Sequence, residues 1–225
     1  MITYLASYPR SGNTMLRIIF KEAFGLMTGS IYKELSDNPL GRLVGSVGNR
    51  LISDGWPIAK PSLVESAEQY FMKTHQHPED NLPAIVLARD PRASIVSYWH
   101  LYHQKYPLID IIKGNCPWGA WDTFYKAWRP LSRPNTLFLR YEDVIIDPKK
   151  AIATIAEFIG LTPIKEWTND FSRFQAIEPT FFRAGNNKAN ISELSHELEE
   201  LILSRCKSTM IELGYGGGTD PQNKN

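Results

Sequence analysis

The chain has 225 residues, a formal net charge of +1 and 43% hydrophobic residues, enough for one large domain with a real core. The near-balance of charge excludes a nonspecific nucleic-acid binder that works through a basic field, and no apolar run approaches the roughly 20 residues needed to span a bilayer. Two cysteines, Cys116 and Cys206, make no disulfide framework and suit a reducing compartment; with the first apolar run starting almost at Met1, no signal peptide is expected, and the expectation is a cytoplasmic protein with no membrane partner.

The apolar run at residues 2–7 predicts a strand, closed by Tyr8-Pro9-Arg10-Ser11-Gly12-Asn13-Thr14. Leu16, Ile19, Phe20 and Ala23 then recur on one helical face. Strand, tight polar turn and helix is the layout that aims a helix's free N–H groups at an anion. Arg10 adds a fixed positive charge, Gly12 flexibility, and Ser11 and Thr14 hydroxyls, a set suited to a phosphate or sulfate. On the ATP-binding template G-x-x-x-x-G-K-[ST], Ser7 takes the place of the first Gly and Asn13 that of the Lys. An Asn cannot neutralise terminal phosphates, so the turn resembles a phosphate-binding loop built for a different donor.

Residues 25–62 hold scattered Gly and Pro with little period. A short strand follows at 70–74, then a stronger one at 84–88. Asp90-Pro91 predicts an N-cap and first helical turn, with the helix running to about His103. Residues 104–135 are irregular and aromatic-rich, with Trp118 and Trp121, and contain a predicted helix at 122–128. Both irregular segments suit the walls of a binding site. A strand at 136–139 precedes a second Asp-Pro helix start at Asp147-Pro148; Ile152, Ile155 and Ile159 supply its buried face and Gly160 its end. Asn190 with Glu193 predicts a capping box for a long final helix carrying Leu194, Leu198, Leu201 and Ile202 and ending at Gly214. That stripe can bury within the domain or against a partner, which leaves the oligomeric state open. The expected organisation is one α/β domain over residues 1–214, P-loop-like, with a central, mostly parallel sheet flanked by helices. Residues 215–225 form a tail with nothing to bury, expected to be disordered.

Ligands on an open parallel sheet bind beyond the carboxyl ends of its strands. Those ends carry Arg10 to Thr14, then Lys73-Thr74-His75, then Arg89, then Arg140-Tyr141-Glu142-Asp143. This set points to an anionic, aromatic ligand. His75 is a candidate base because imidazole titrates near working pH. His75 with His77, or His100 with His103, lacks a third ligand of metal-site spacing, so no metal is expected.

These segments, in this order, resemble the cytosolic-type sulfotransferases that use 3′-phosphoadenosine-5′-phosphosulfate (PAPS), and the likeness covers nearly all of residues 1–185. Residues 8–14 resemble the 5′-phosphosulfate loop, and Lys73-Thr74-His75 the segment with the catalytic base. Arg89-Asp90-Pro91-Arg92-Ala93-Ser94-Ile95-Val96-Ser97-Tyr98 resembles the 3′-phosphate segment, and Tyr141-Glu142-Asp143 the adenine segment. The resemblance implies transfer of the sulfuryl group from PAPS to a hydroxyl or amine of a small-molecule acceptor, leaving PAP. It implies His75 as general base, with Arg10 and Lys73 stabilising the transferring group. It further implies a donor site of Arg10, Ser11, Gly12, Asn13, Thr14, Met15, Arg89, Ser97, Tyr141, Arg183, Ala184 and Gly185, with no metal.

Three departures stand out. Arg10 replaces the family's usual Lys, keeping the charge but not the ability to give up a proton. Met15 replaces a Trp that stacks on adenine. Ala184 removes one cation of a basic pair, for which Lys188 is the candidate substitute. Two alternatives stay open at this level: a P-loop-like nucleotide or small-molecule kinase, and a catalytically idle adenine-nucleotide-binding module. The acceptor is not legible: Trp56, Trp118, Trp121 and Trp128 suit an apolar or aromatic pocket, but tryptophans equally serve as core anchors.

Overall fold

In the computed structural model, the strands β1 (Ile2–Ser7), β2 (Gly29–Ser30), β3 (Tyr70–Thr74), β4 (Ala84–Ala88) and β5 (Thr136–Arg140) form one five-stranded sheet in the order β2-β3-β1-β4-β5. The structure describes residues 1–32, 48, 50, 52, 54–102, 105–169, 171–179, 182–183 and 187–216. Every described pairing is parallel, with Leu5 opposite Lys73 on one side and Ile85 on the other. The short β2 falls in a segment whose sequence carries no strand period.

The helices among the described residues are α1 (Asn13–Phe24), α2 (Lys60–Glu65), α3 (Pro91–Leu101), α4 (Leu108–Lys113), α5 (Trp121–Trp128), α6 (Tyr141–Ile146), α7 (Pro148–Ile159), α8 (Phe171–Ile177), α9 (Asn187–Ile191) and α10 (His196–Glu212). Successive strand residues face opposite sides of the sheet. Tyr4, Ala6, Val86 and Ala88 pack with α3, α4, α5 and α10, while Leu5, Ile85 and Leu87 pack with α1, α6 and α7. With both faces covered, β1 and β4 are buried throughout, which is why they read as continuous apolar runs rather than alternating ones. Each fully buried aliphatic or aromatic side chain stabilises the fold by about 1.5–3 kcal/mol.

Both Asp-Pro starts cap their helices: the Asp90 side chain accepts from Arg92 N and that of Asp147 from Lys150 N. Such caps contribute about 1 kcal/mol each. The expected capping box at Asn190 and Glu193 does not form. Asn190 lies inside α9, and Ser195 caps the final helix by accepting from Leu198 N. Asn190 is drawn away by a tertiary partner, described below. Helix α3 ends at Leu101, and His103 lies outside the described residues. Tyr215, at the start of the expected tail, donates its hydroxyl to Glu142 Oε2 at 2.9 Å; residues 217–225 lie outside the described residues.

Candidate active site

The strand order leaves β1 between β3 and β4. Early crossovers run to one side of β1 and later ones to the other, so the crevice at a switch of winding direction opens at its carboxyl end. Arg10, His75 and Arg89 follow the three adjacent strands there. The turn after β1 holds Arg10 at φ 65° and Gly12 at φ 101°, a left-handed bend that swings the chain into α1. A Cβ on Gly12 would lie 2.6 Å from Tyr141 Cδ2 and 3.0 Å from Leu87 Cδ2, so glycine is required sterically as well. Asn13 faces inward: its Nδ2 donates to Leu5 O at 2.8 Å and to Ser7 Oγ at 3.2 Å. At the position of the ATP loop's Lys, the chain therefore has a clip that ties the loop to β1. Ser11 is buried, with its Oγ 3.3 Å from the Tyr125 hydroxyl. Thr14 stands half-buried in the first turn of α1.

Helix α5 braces the ends of β4 and β3 from one face. Trp121 Nε1 donates to Arg89 O at 3.1 Å, Tyr125 OH to Leu87 O at 2.9 Å, and Trp128 Nε1 to Gln76 O at 2.9 Å. The spacing of these aromatics, i, i+4 and i+7, puts them on one side of the helix. Trp121 and Trp128 are thus core anchors with satisfied N–H groups, not pocket walls. Trp56 packs edge-on against Tyr4.

Arginines converge at the mouth of the loop. Arg10 Nε donates to Ser97 Oγ at 3.0 Å. Arg89 donates from Nη1 to Arg10 O at 3.1 Å and from Nε to Asn187 Oδ1 at 2.8 Å, and its guanidinium lies 4.6 Å from the Tyr141 ring centre. Burial, with the charges of Arg89 and Arg183, lowers the Arg10 pKa to about 9. Removal from water and like-charge repulsion both oppose the cation, and the opposite charge of a bound anion would offset them. Arg183 pairs with Glu193 Oε1 at 2.7 Å and donates to Asn190 Oδ1.

His75 lies across the loop from these groups. Its Nδ1 stands 2.7 Å from Ser7 O; a carbonyl only accepts, so Nδ1 carries the proton and Nε2 is left as the acceptor. The His75 backbone N–H donates to Tyr32 OH at 2.6 Å. Burial first, then Lys73, with Arg17 and Arg10 adding to it, lowers the His75 pKa to about 3 against the opposing Ser7 carbonyl. Lys73 is buried on β3, with Nζ 5.9 Å from the Tyr32 ring centre. Tyr32 stacks beside His75 at 5.9 Å, and Trp118 meets His75 edge-on at 5.6 Å and Tyr32 at 5.1 Å. Residues from both irregular segments thus flank the imidazole.

Comparison with known proteins agrees with this layout. A sulfotransferase domain model matches residues 3–210. The chain belongs to the sulfotransferase family. It is 24% identical to Sulfotransferase 6B1 of Danio rerio over 92% of this chain and 79% of that protein. It is 31% identical to Sulfotransferase 1C2 of Homo sapiens over 45% of this chain and 42% of that one. The fold is shared with mouse sulfotransferase SULT7A1 complexed with PAP, at TM-score 0.64, 20% identity and coverage of 94% and 86% of the two chains. It is likewise shared with retinol dehydratase in a complex with retinol and PAP, at TM-score 0.66, 21% identity and coverage of 93% and 81%.

In this sulfotransferase, Arg10, Ser97, Arg89 and Tyr141 come together, with Arg183 near enough to act on Arg10. Met15 is nine-tenths buried in the cluster with Leu5, Leu87 and Val144, with Tyr141 at the cluster's margin. Ala184 and Gly185 lie outside the described residues, as does the Lys188 side chain. Sequence reasoning missed Asn187, Asn190, Tyr125, Tyr32 and Arg17. Arg17 was findable as the one cation on the apolar face of α1; it is buried, with Nε donating to Thr28 Oγ1 at 2.8 Å. The others carry no local signal. Among the described residues no group of three His, Cys, Asp or Glu side chains could hold a metal ion, and no helix is long and apolar enough to cross a membrane.

Proposed function

We propose that this chain transfers the sulfuryl group of PAPS to a hydroxyl or amine of a small-molecule acceptor. The observation that carries the reading is the convergence of Arg10, Arg89 and Arg183 at a left-handed turn before a helix, where the three cations work against one another. The PAP in the complexes of the fold neighbours supports the same donor. In the proposed step the acceptor oxygen or nitrogen attacks sulfur and the bond from sulfur to the bridging phosphate oxygen breaks. The electron pair stays on that oxygen, where Arg10, Lys73 and the N–H groups opening α1 meet the growing charge. His75 Nε2 takes the acceptor's proton. Arg89, Ser97 and Arg183 hold the 3′-phosphate, and Tyr141 lies at the adenine. Tyr32 and Trp118 wall the acceptor's approach to His75, and one fold neighbour carries an apolar alcohol, retinol, beside PAP. The free cysteines Cys116 and Cys206 support a cytoplasmic setting.

The test is labelled-sulfate transfer from PAPS to a panel of alcohols, phenols, amines and sugars, with and without excess chelator, beside calorimetry of PAP against 5′-AMP. Transfer that survives chelation, with PAP bound at least tenfold tighter than 5′-AMP, is expected, because charge-assisted hydrogen bonds contribute about 1.5–3 kcal/mol each. Equal affinities, or turnover that needs magnesium and ATP, would overturn the reading. Tight PAP binding with no transfer to any acceptor would leave an idle nucleotide-binding module.

A further inference from the structure

Two arginines of the donor site are each gripped by an asparagine of one short helix. Asn187 and Asn190 stand three residues apart on α9 (Asn187–Ile191), the spacing that brings side chains onto one helix face. Asn187 Oδ1 accepts from Arg89 Nε at 2.8 Å, and Asn190 Oδ1 accepts from an Arg183 Nη. Behind them the network continues. Asn187 Nδ2 donates to Glu142 Oε1 at 2.7 Å, the oxygen that also takes the Asp90 N–H at 3.1 Å. Glu142 Oε2 takes the Tyr215 hydroxyl at 2.9 Å. Asn190 is buried, and α9 packs against α3, the helix that presents Ser97.

The choice of amide has a physical consequence. An amide oxygen fixes the direction of a guanidinium and leaves its unit charge uncompensated; a carboxylate in the same place fixes the direction and cancels the charge. Glu142 is the carboxylate closest in this network to Arg89, and it is kept one side chain away, holding the asparagine's NH2 instead of the arginine. Asn187 therefore passes the rigidity of the Glu142 anchor to Arg89 without passing on the negative charge. At Arg183 both kinds of partner are present, because Glu193 pairs with one Nη while Asn190 takes the other.

We propose that Asn187 and Asn190 are positioning residues for the nucleotide's 3′-phosphate, aiming Arg89 and Arg183 as charged donors, with Asn187 acting as a neutral spacer between Glu142 and Arg89. This rests on the donor reading above. It accounts for Asn190 being absent from the cap of α10, and it makes Arg89 the stronger anion contact of the two.

The experiment is calorimetry of PAP and 5′-AMP on the full chain and on Asn187→Ala, Asn190→Ala and Asn187→Asp. Both alanine variants should weaken PAP about tenfold and spare 5′-AMP, so that the preference between the nucleotides falls. Asn187→Asp keeps the shape but, like Asn187→Ala, loses the donor to Glu142 Oε1; it should weaken PAP more than Asn187→Ala does, because it brings negative charge to Arg89. A PAP to 5′-AMP ratio like the wild type's in the alanine variants, or equal weakening of both nucleotides, would overturn the positioning role. Wild-type PAP affinity in Asn187→Asp would overturn the neutral-spacer argument. Equal binding of both nucleotides by the wild type would instead overturn the donor reading itself, before any variant is compared.

Discussion

Arg10 Nε and Ser97 Oγ are 3.0 Å apart, although one follows the first strand and the other lies in the middle of α3. The loop expected at the donor's 5′ end and the helix expected at its 3′ end are therefore in direct contact. Neither anchor can shift without disturbing the other.

That contact predicts non-additivity. Arg10→Ala should weaken PAP binding and lower turnover together, since in the proposed site its charge meets the phosphosulfate before and during transfer. Ser97→Ala should weaken PAP binding less. The double variant should depart from the sum of the two by about 0.5–3 kcal/mol, the range for residues in one hydrogen-bonded network. Calorimetric PAP affinities of the four proteins measure this, and strict additivity would separate the two anchors.

His75→Ala separates catalysis from binding. Turnover should fall about 10²–10⁴-fold, the usual reach of a general base, while PAP affinity stays nearly unchanged because the proposed site holds the phosphates with the arginines. Wild-type turnover in this variant, measured with a verified acceptor, would remove His75 from the base role.

The depressed His75 pKa sets the pH behaviour. With a folded value of about 3 against the ordinary 6.5, the imidazole stays neutral and able to accept a proton well below pH 6. The acid limb of kcat/KM for the donor, which reports the free enzyme, should therefore lie far under 6.5. In kcat it should lie higher, because the bound sulfonate offsets the charges of Lys73, Arg17 and Arg10. The linkage to stability has a definite sign. The unfolded chain takes up the proton first, so the contribution is full above 6.5 and is lost as pH falls toward 3. Urea unfolding at about pH 7 and about pH 4.5 should show a larger loss for the wild type than for His75→Gln.

Gly12→Ala tests the turn. A side chain at φ 101° is strained, and its Cβ meets Tyr141 at 2.6 Å. The expected cost is about 1–3 kcal/mol of stability, read as a lower urea midpoint with unchanged slope. PAP affinity should fall as well, because the displaced Tyr141 ring is the face on which Arg89 rests.

Much of the fold was legible because its signals are local. The runs at β1, β3, β4 and β5 are short, aliphatic and bounded by turn residues, and the two Asp-Pro pairs mark helix starts through chemistry contained within three or four residues. The capping signal at Asn190 and Glu193 is equally local, yet Arg183 engages both side chains and the helix begins later, at Ser195. A tertiary hydrogen bond to a charged group outweighs a cap. Trp121 and Trp128 stayed open between pocket wall and core anchor for a related reason: an indole signals size and one N–H donor, and only packing decides whether it lines a pocket or braces a backbone.

By itself the sequence determined which groups stand at the strand ends: Arg10 with Gly12 and Asn13, Lys73 with His75, Arg89, and Tyr141 with Glu142. Hydrophobic period and turn chemistry specify those positions one segment at a time. The tertiary structure alone decided which of them meet. Arg10 reaches Ser97 across 87 residues, Arg89 reaches Arg10 O across 79 and Asn187 across 98, and His75 finds the Ser7 carbonyl across 68. Contacts at such separations arise from the order in which the strands assemble around β1, and no pattern within a single segment encodes that order.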